Sequence, residues 1–117
     1  QFAFNNSISN HRVVIKKLLP NPDGRDIDNE WVILKNNNNA DVSLSGWKLE
    51  DRSGRSWDLT SSGTINSGLT KKIMRDGRAM SLNNQGDEIA LYDNNDTEID
   101  RFKYDTSTVG VEIDTNH

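Results

Sequence analysis

The sequence predicts an all-β fold, a β-sandwich of about eight short strands with almost no helix. Three observations predict it. Apolar residues alternate with polar ones in short bursts, the period of a half-buried strand. Clusters of Gly, Asn, Asp and Ser separate the bursts at intervals of about 8 to 12 residues, the spacing of strands joined by turns. No long run keeps apolar residues at helical spacing.

The first burst covers residues 12–19, where Val13, Val14, Ile15, Leu18 and Leu19 bracket Lys16 and Lys17. A bulge near the lysines keeps both ends facing inward. Pro20, Asn21, Pro22, Asp23 and Gly24 end the burst. The second strand covers residues 30–36, with Val32 and Leu34 on one face and Trp31, Ile33 and Lys35 on the other. Asn36, Asn37, Asn38 and Asn39 form a turn, because Asn tolerates left-handed angles and bonds its own main chain. Val42 and Leu44 mark a third strand, which residues 46–51 continue beyond a kink at Gly46.

Ser53 and Gly54 turn the chain into a strand at 55–59 with Trp57 and Leu59 inward. Ile65 and residues 69–74 supply a further strand or pair around Asn66, Ser67 and Gly68. A turn at 83–86 leads to clean alternation at 87–92, and a tight turn at 93–96 leads to the strand at 98–104. Val109, Val111 and Ile113 form one last edge strand or fray. The expected core is Val32, Leu34, Leu44, Trp47, Leu49, Trp57, Ile89, Leu91, Phe102 and Tyr104. The size and pattern are those of an immunoglobulin-like sandwich, without the Cys, Trp, Cys signature of antibody domains.

The chain has 117 residues, enough for one core and too few for two. Hydrophobic residues make up only 32%, and mean hydropathy is −0.80, low enough that disorder must be weighed. A net charge of only −4, three Trp and three Phe to bury, and the alternation argue for a small core under a polar surface. Such a core leaves little room for an enclosed catalytic cavity. Zero cysteines exclude a disulfide framework, a thiolate nucleophile and Cys-ligated zinc or iron–sulfur sites. No apolar run approaches the roughly 20 residues of a membrane-spanning helix, and residues 1–10 lack a signal-peptide pattern. The chain begins with Gln1, which fits a piece of a larger protein. Residues 1–11 are expected as a flexible flank, 12–105 as the sandwich, and 106–117 as an edge strand or tail.

The strings "VIKKLLPNP" from Val14, "NEWVILKN" from Asn29 and "VSLSGWKLED" from Val42 resemble the lamin-tail domain family. The resemblance continues through "NNQGDEIALYD" from Asn83 and "EIDRFKY" from Glu98. The start at "LLPNP" and the "GDEIALYD" strand look like its prokaryotic branch rather than the tail of an animal nuclear lamin. The resemblance implies an immunoglobulin-like sandwich with no catalytic residue. It also implies structural roles for Glu30, Asn36, Gly46, Trp47 and Asp87. Prokaryotic relatives are typically joined to exported hydrolases, so it implies a non-catalytic interaction or targeting module in an extracellular or envelope-associated protein. Two turns depart from the family: Ser67 and Gly68 replace a Pro-Gly pair, and Asn95 and Asp96 stand where Gly is expected. Asn and Asp can fill such positions.

Each candidate chemistry has a plainer reading. His11 and His117 are the only histidines and lie in the flanks, with no positioned Ser or Asp partner visible. The acids Asp26, Asp28 and Glu30, and Asp93, Asp96, Glu98 and Asp100, sit in and around turns, where solvation accounts for them. The loop of Asp23, Gly24, Arg25, Asp26, Ile27, Asp28, Asn29 and Glu30 offers hard oxygens for calcium, yet it misses the EF-hand order and carries Arg25.

No catalytic, cofactor-binding or metal-ligating residue is assigned. The partner expected is a protein or cell surface, including a hydrolase domain of the same parent chain. Trp31, on the face opposite Val32 and Leu34, is the candidate platform for polysaccharide. Lys71, Lys72, Arg75 and Arg78 are the candidate strip for DNA, opposed by Asp76 and by an isoelectric point near 5.1.

Overall fold

The structure, a computed structural model, describes residues 12–117. Ten strands run in the order β1 Val13–Leu19, β2 Trp31–Asn36, β3 Val42–Ser43, β4 Lys48–Glu50, β5 Ser56–Asp58, β6 Thr64–Ile65, β7 Thr70–Met74, β8 Asp87–Tyr92, β9 Glu98–Tyr104 and β10 Ile113–Asp114. One helical turn, α1 Asp26–Asn29, precedes β2, and a 3-10 turn, Thr60–Ser62, precedes β6. Two antiparallel sheets, β10-β1-β2-β7 and β5-β4-β8-β9, enclose the core, and β3 and β6 form a separate pair. This is an immunoglobulin-like β-sandwich, as alternation predicts.

Period-two burial sets the architecture. Val32 and Leu34 of β2 are fully buried, as are Leu49 of β4, Trp57 of β5, and Ile89 and Leu91 of β8. The β1 register shifts between Ile15 and Lys17, which is the expected bulge, and Ile15 and Leu18 on either side of it are both buried. The main-chain groups freed by the bulge find partners elsewhere. Ile15 N–H donates to Asp100 Oδ2 at 2.8 Å, and Thr115 Oγ1 donates to Ile15 O at 2.6 Å.

Four details differ from the pattern. Gly46 does more than kink a strand. With φ +79° it turns the chain from the β3–β6 pair into the β5-β4-β8-β9 sheet, and a Cβ there would lie 2.9 Å from Asn94 Cβ. Asn36 ends β2 as the strand reading has it, but Asn36 and Asn38 are buried, which their reading as turn residues does not include. Phe102 is only partly buried, because β9 is an edge strand, and its ring meets His117 edge-on at 5.7 Å. Met80 and Leu82, in a segment that joins no sheet, are 1% exposed and complete the core.

The turn after β8, where the resemblance expects a glycine, is made by Asp96 and Asp93. Asp96 takes φ +59°, while Asp93 Oδ1 accepts from Asn95 N and Thr97 N at 2.8 and 2.9 Å. In the tail, Val109 and Val111 are exposed and only Ile113–Asp114 pairs, with β1.

The largest fully buried side chain is Trp57, whose Nε1 donates to Met80 O at 2.9 Å. Trp57→Ala removes that volume and leaves the carbonyl unmet, so urea denaturation should show a loss of roughly 3–5 kcal/mol. Unchanged stability would show that the indole does not fill the core.

Candidate functional site

A shallow depression runs beside β7, an outer strand of its sheet. Ser61 and Ser62 wall it on one side, all five residues of β7 form its floor, and Asp76 and Arg78 close its end. It encloses about 650 Å³ and is open to solvent. Within it lie three of the four cations expected to contact DNA: Lys71, Lys72 and Arg78.

The structure separates these cations by role. Alternation puts Lys71 opposite Leu34 and Lys72 opposite Ile33, hence on opposite faces of the sheet. Lys71 Nζ crosses to the 3-10 turn and donates to Ser62 O at 2.9 Å. Lys72 is exposed, its ammonium 4.6 Å from the centre of the Trp31 ring.

Arg78 donates to Asp58 O at 2.8 Å, to Arg75 O at 3.0 Å and to Met74 O, with its guanidinium over the Trp57 ring. Burial holds its guanidinium below the usual range. Arg75 is 9% exposed and turned away from the groove. It donates to Arg78 O at 2.7 Å and Ala79 O at 3.3 Å, and lies 3.4 Å from Glu30 Oε1. The strip therefore does not present four free cations to a polyanion. Arg75 and Arg78 hold the loop after β7, Lys71 is tied to the 3-10 turn, and Lys72 alone of the four is exposed.

Trp31, the expected sugar platform, is only 8% exposed. Lys72 stands over the ring a sugar would need to stack on. In the acidic loop, Asp26 and Asp28 lie in α1, Arg25 faces Asp28 at 3.7 Å, and Glu30 points into the core. Among the described residues, no group of three or more His, Asp or Glu side chains could hold a metal. His11 lies outside the described residues. His117 Nδ1 is 2.7 Å from Asp100 Oδ2, the same oxygen that receives Ile15 N–H, so this pair fastens the tail to β1 and β9.

The buried polar side chains close the ends of strands. Glu30 Oε1 accepts from Leu82 N at 2.8 Å, and Glu30 O accepts from Arg75 N at 2.8 Å. Asn36 Nδ2 donates to Ala40 O and Ile65 O, while its Oδ1 receives Asn38 N. Asp87 Oδ1 receives Glu88 N at 2.8 Å and Arg52 N at 3.4 Å, and its Oδ2 receives Asn83 N.

The sequence did not mark the groove, because which strand lies outermost depends on topology. Two adjacent lysines in a short strand ahead of an Asp-Gly turn are edge-strand composition, and that signal could have found it.

The fold and these strand-end clamps define an immunoglobulin-like module whose buried polar groups support its own framework. The Lamin Tail Domain family model matches residues 6–106, and the chain belongs to that family. Among curated proteins, none matches the sequence.

Glu30 carries a consequence for pH. Burial raises its carboxyl from 4.5 to about 7, against the opposing pulls of Leu82 N–H and Arg75. Its Oε2 is buried and makes no hydrogen bond among the described residues. A folded pKa above the unfolded one means that the fold holds this proton more tightly. The resulting stability is complete below about pH 4.5 and is lost as pH rises through about 7. Thermal midpoints of wild type and Glu30→Gln, compared from pH 5 to pH 8, should show the wild type losing ground to the variant at the upper end. Parallel profiles would show that Glu30 does not titrate in this window.

Proposed function

We propose that the chain is a non-catalytic interaction or targeting module of the prokaryotic lamin-tail type, joined to a hydrolase in an exported or envelope-associated parent protein. The observation that carries this reading is where the fixed polar side chains point. Catalysis needs positioned groups that converge on a space a substrate can enter. Here Glu30, Arg75, Asn36 and Asp87 are positioned, and each is bound to main-chain groups of its own fold. The Asp100–His117 pair is likewise engaged with Ile15 N–H and with Lys16, whose Nζ donates to His117 O at 3.2 Å.

Exposed polar side chains such as Lys72, on the outer strand β7, are placed to meet another macromolecule. Membership of the family supports the same reading, since an immunoglobulin-like sandwich offers its edges and loops as contact surfaces.

Deleting this domain from the parent protein should leave turnover of soluble substrate unchanged and release the enzyme from the cell-surface fraction. Both are read by assaying activity in surface and soluble fractions. Hydrolysis of phosphodiester or glycoside substrates by the purified chain would overturn the proposal.

A further inference from the structure

The hydrogen-bond parity of β7 fixes which of its main-chain groups are free. Arg75 N donates to Glu30 O, and Asn36 N donates to Leu69 O. Both contacts belong to the same antiparallel register that pairs Ile73 with Val32 and Lys71 with Leu34. Bonded and non-bonded pairs alternate along such a ladder. Ile73 and Lys71 therefore turn their N–H and C=O toward β2, while Thr70, Lys72 and Met74 turn theirs away, into the groove. The Met74 carbonyl is taken by Arg78. Among the described residues, none bonds the Thr70 and Lys72 groups or the Met74 N–H along this edge of five residues.

We propose that this edge accepts an extended acidic segment of a partner protein as an added strand of the β10-β1-β2-β7 sheet. The proposal rests on the interaction-module reading and specifies its surface. The unused N–H and C=O groups supply the pairing, as in other strand-addition complexes. Lys71, Lys72 and Arg78 line the groove against the single carboxylate of Asp76, so the groove is locally positive on a chain whose net charge is −4. That charge also selects the occupant. Antiparallel pairing of two copies about Lys72 would set Lys72 against Lys72, which is unfavourable, whereas an acidic strand meets the cations with opposite charge. Trp31 contributes by holding Lys72, whose ammonium stands over its ring. A nucleic acid would use the lysines but not the row of main-chain groups.

The test uses three fluorescent probes: a short peptide of alternating glutamate and threonine, its lysine–threonine counterpart, and a short DNA duplex. The acidic peptide should bind and the basic one should not. On binding, amide exchange should slow at Thr70 and Lys72 and stay unchanged at Lys71 and Ile73, which already bond to β2. Lys72→Glu should weaken the acidic peptide by about tenfold, the scale of one lost charge-assisted contact.

Thr70→Pro leaves the charge intact and removes an outward N–H that β2 does not use, so the fold should survive while binding falls by a similar factor. Unchanged binding by Thr70→Pro, or unchanged exchange at Thr70 and Lys72, would overturn strand addition. DNA binding tighter than peptide binding would overturn it in favour of a phosphate groove. Failure of every probe to bind would refute the acidic-strand site. The module reading would still be decided separately, by surface release of the parent enzyme.

Discussion

The central strand β2 has a neighbour on each side, β1 and β7, so water cannot satisfy its main chain and each end must be closed by protein. Two buried side chains do this, one at each end. Glu30, just before the strand, receives Leu82 N–H and anchors the segment that carries Met80 and Leu82 into the core. Asn36, its last residue, reaches Ile65 O and Ala40 O and so fixes the β3–β6 pair against the sandwich. The long loops on both sides take their positions from these two contacts. Removing one partner of a buried polar contact leaves the other unsatisfied, which costs more than the contact contributes. The two ends of β2 are thus where small chemical changes propagate furthest.

The sheets are also tied across the sandwich. At the β1 bulge the ladder with β2 loses its regular step, and the freed groups are met from two other segments, Asp100 of β9 and Thr115 beyond β10. Those contacts span 85 and 100 residues of sequence. Closing contacts so distant in the chain costs the most chain entropy, so these ties bear directly on the fold's overall topology.

Much of this was legible in the sequence, and the failures have physical causes. Strands β2 and β8 follow from alternation alone, because each has one face on the core. The bulge at Lys16 and Lys17 was legible for the same reason, since only a register shift keeps Ile15 and Leu18 both inward. Residues 42–51 read as one bent strand because alternation does not report which sheet a residue joins, and the positive φ of Gly46 carries that information only in three dimensions. Met80 and Leu82 escaped notice because they are held by Trp57 and Glu30 rather than by a ladder. Arg75 looked like part of a surface strip, yet its neighbour Glu30 is 45 residues away in sequence, and only the β2–β7 register brings them together. The groove beside β7 is a property of sheet order, which no local pattern encodes.

The antiparallel pairing of β1 with β10 has a mechanical consequence. Lys17 lies opposite Asp114 and Leu18 opposite Ile113, so the chain enters at Val13 and runs on past Asp114 at the same end of the sheet. Tension applied at Val13 and beyond Asp114 would peel this pair open one bond at a time, starting from the clasp of Thr115 and His117, instead of shearing all its bonds together. A domain loaded in this way yields at low force and lengthens early. Within a longer protein it would act as a compliant joint rather than a rigid spacer.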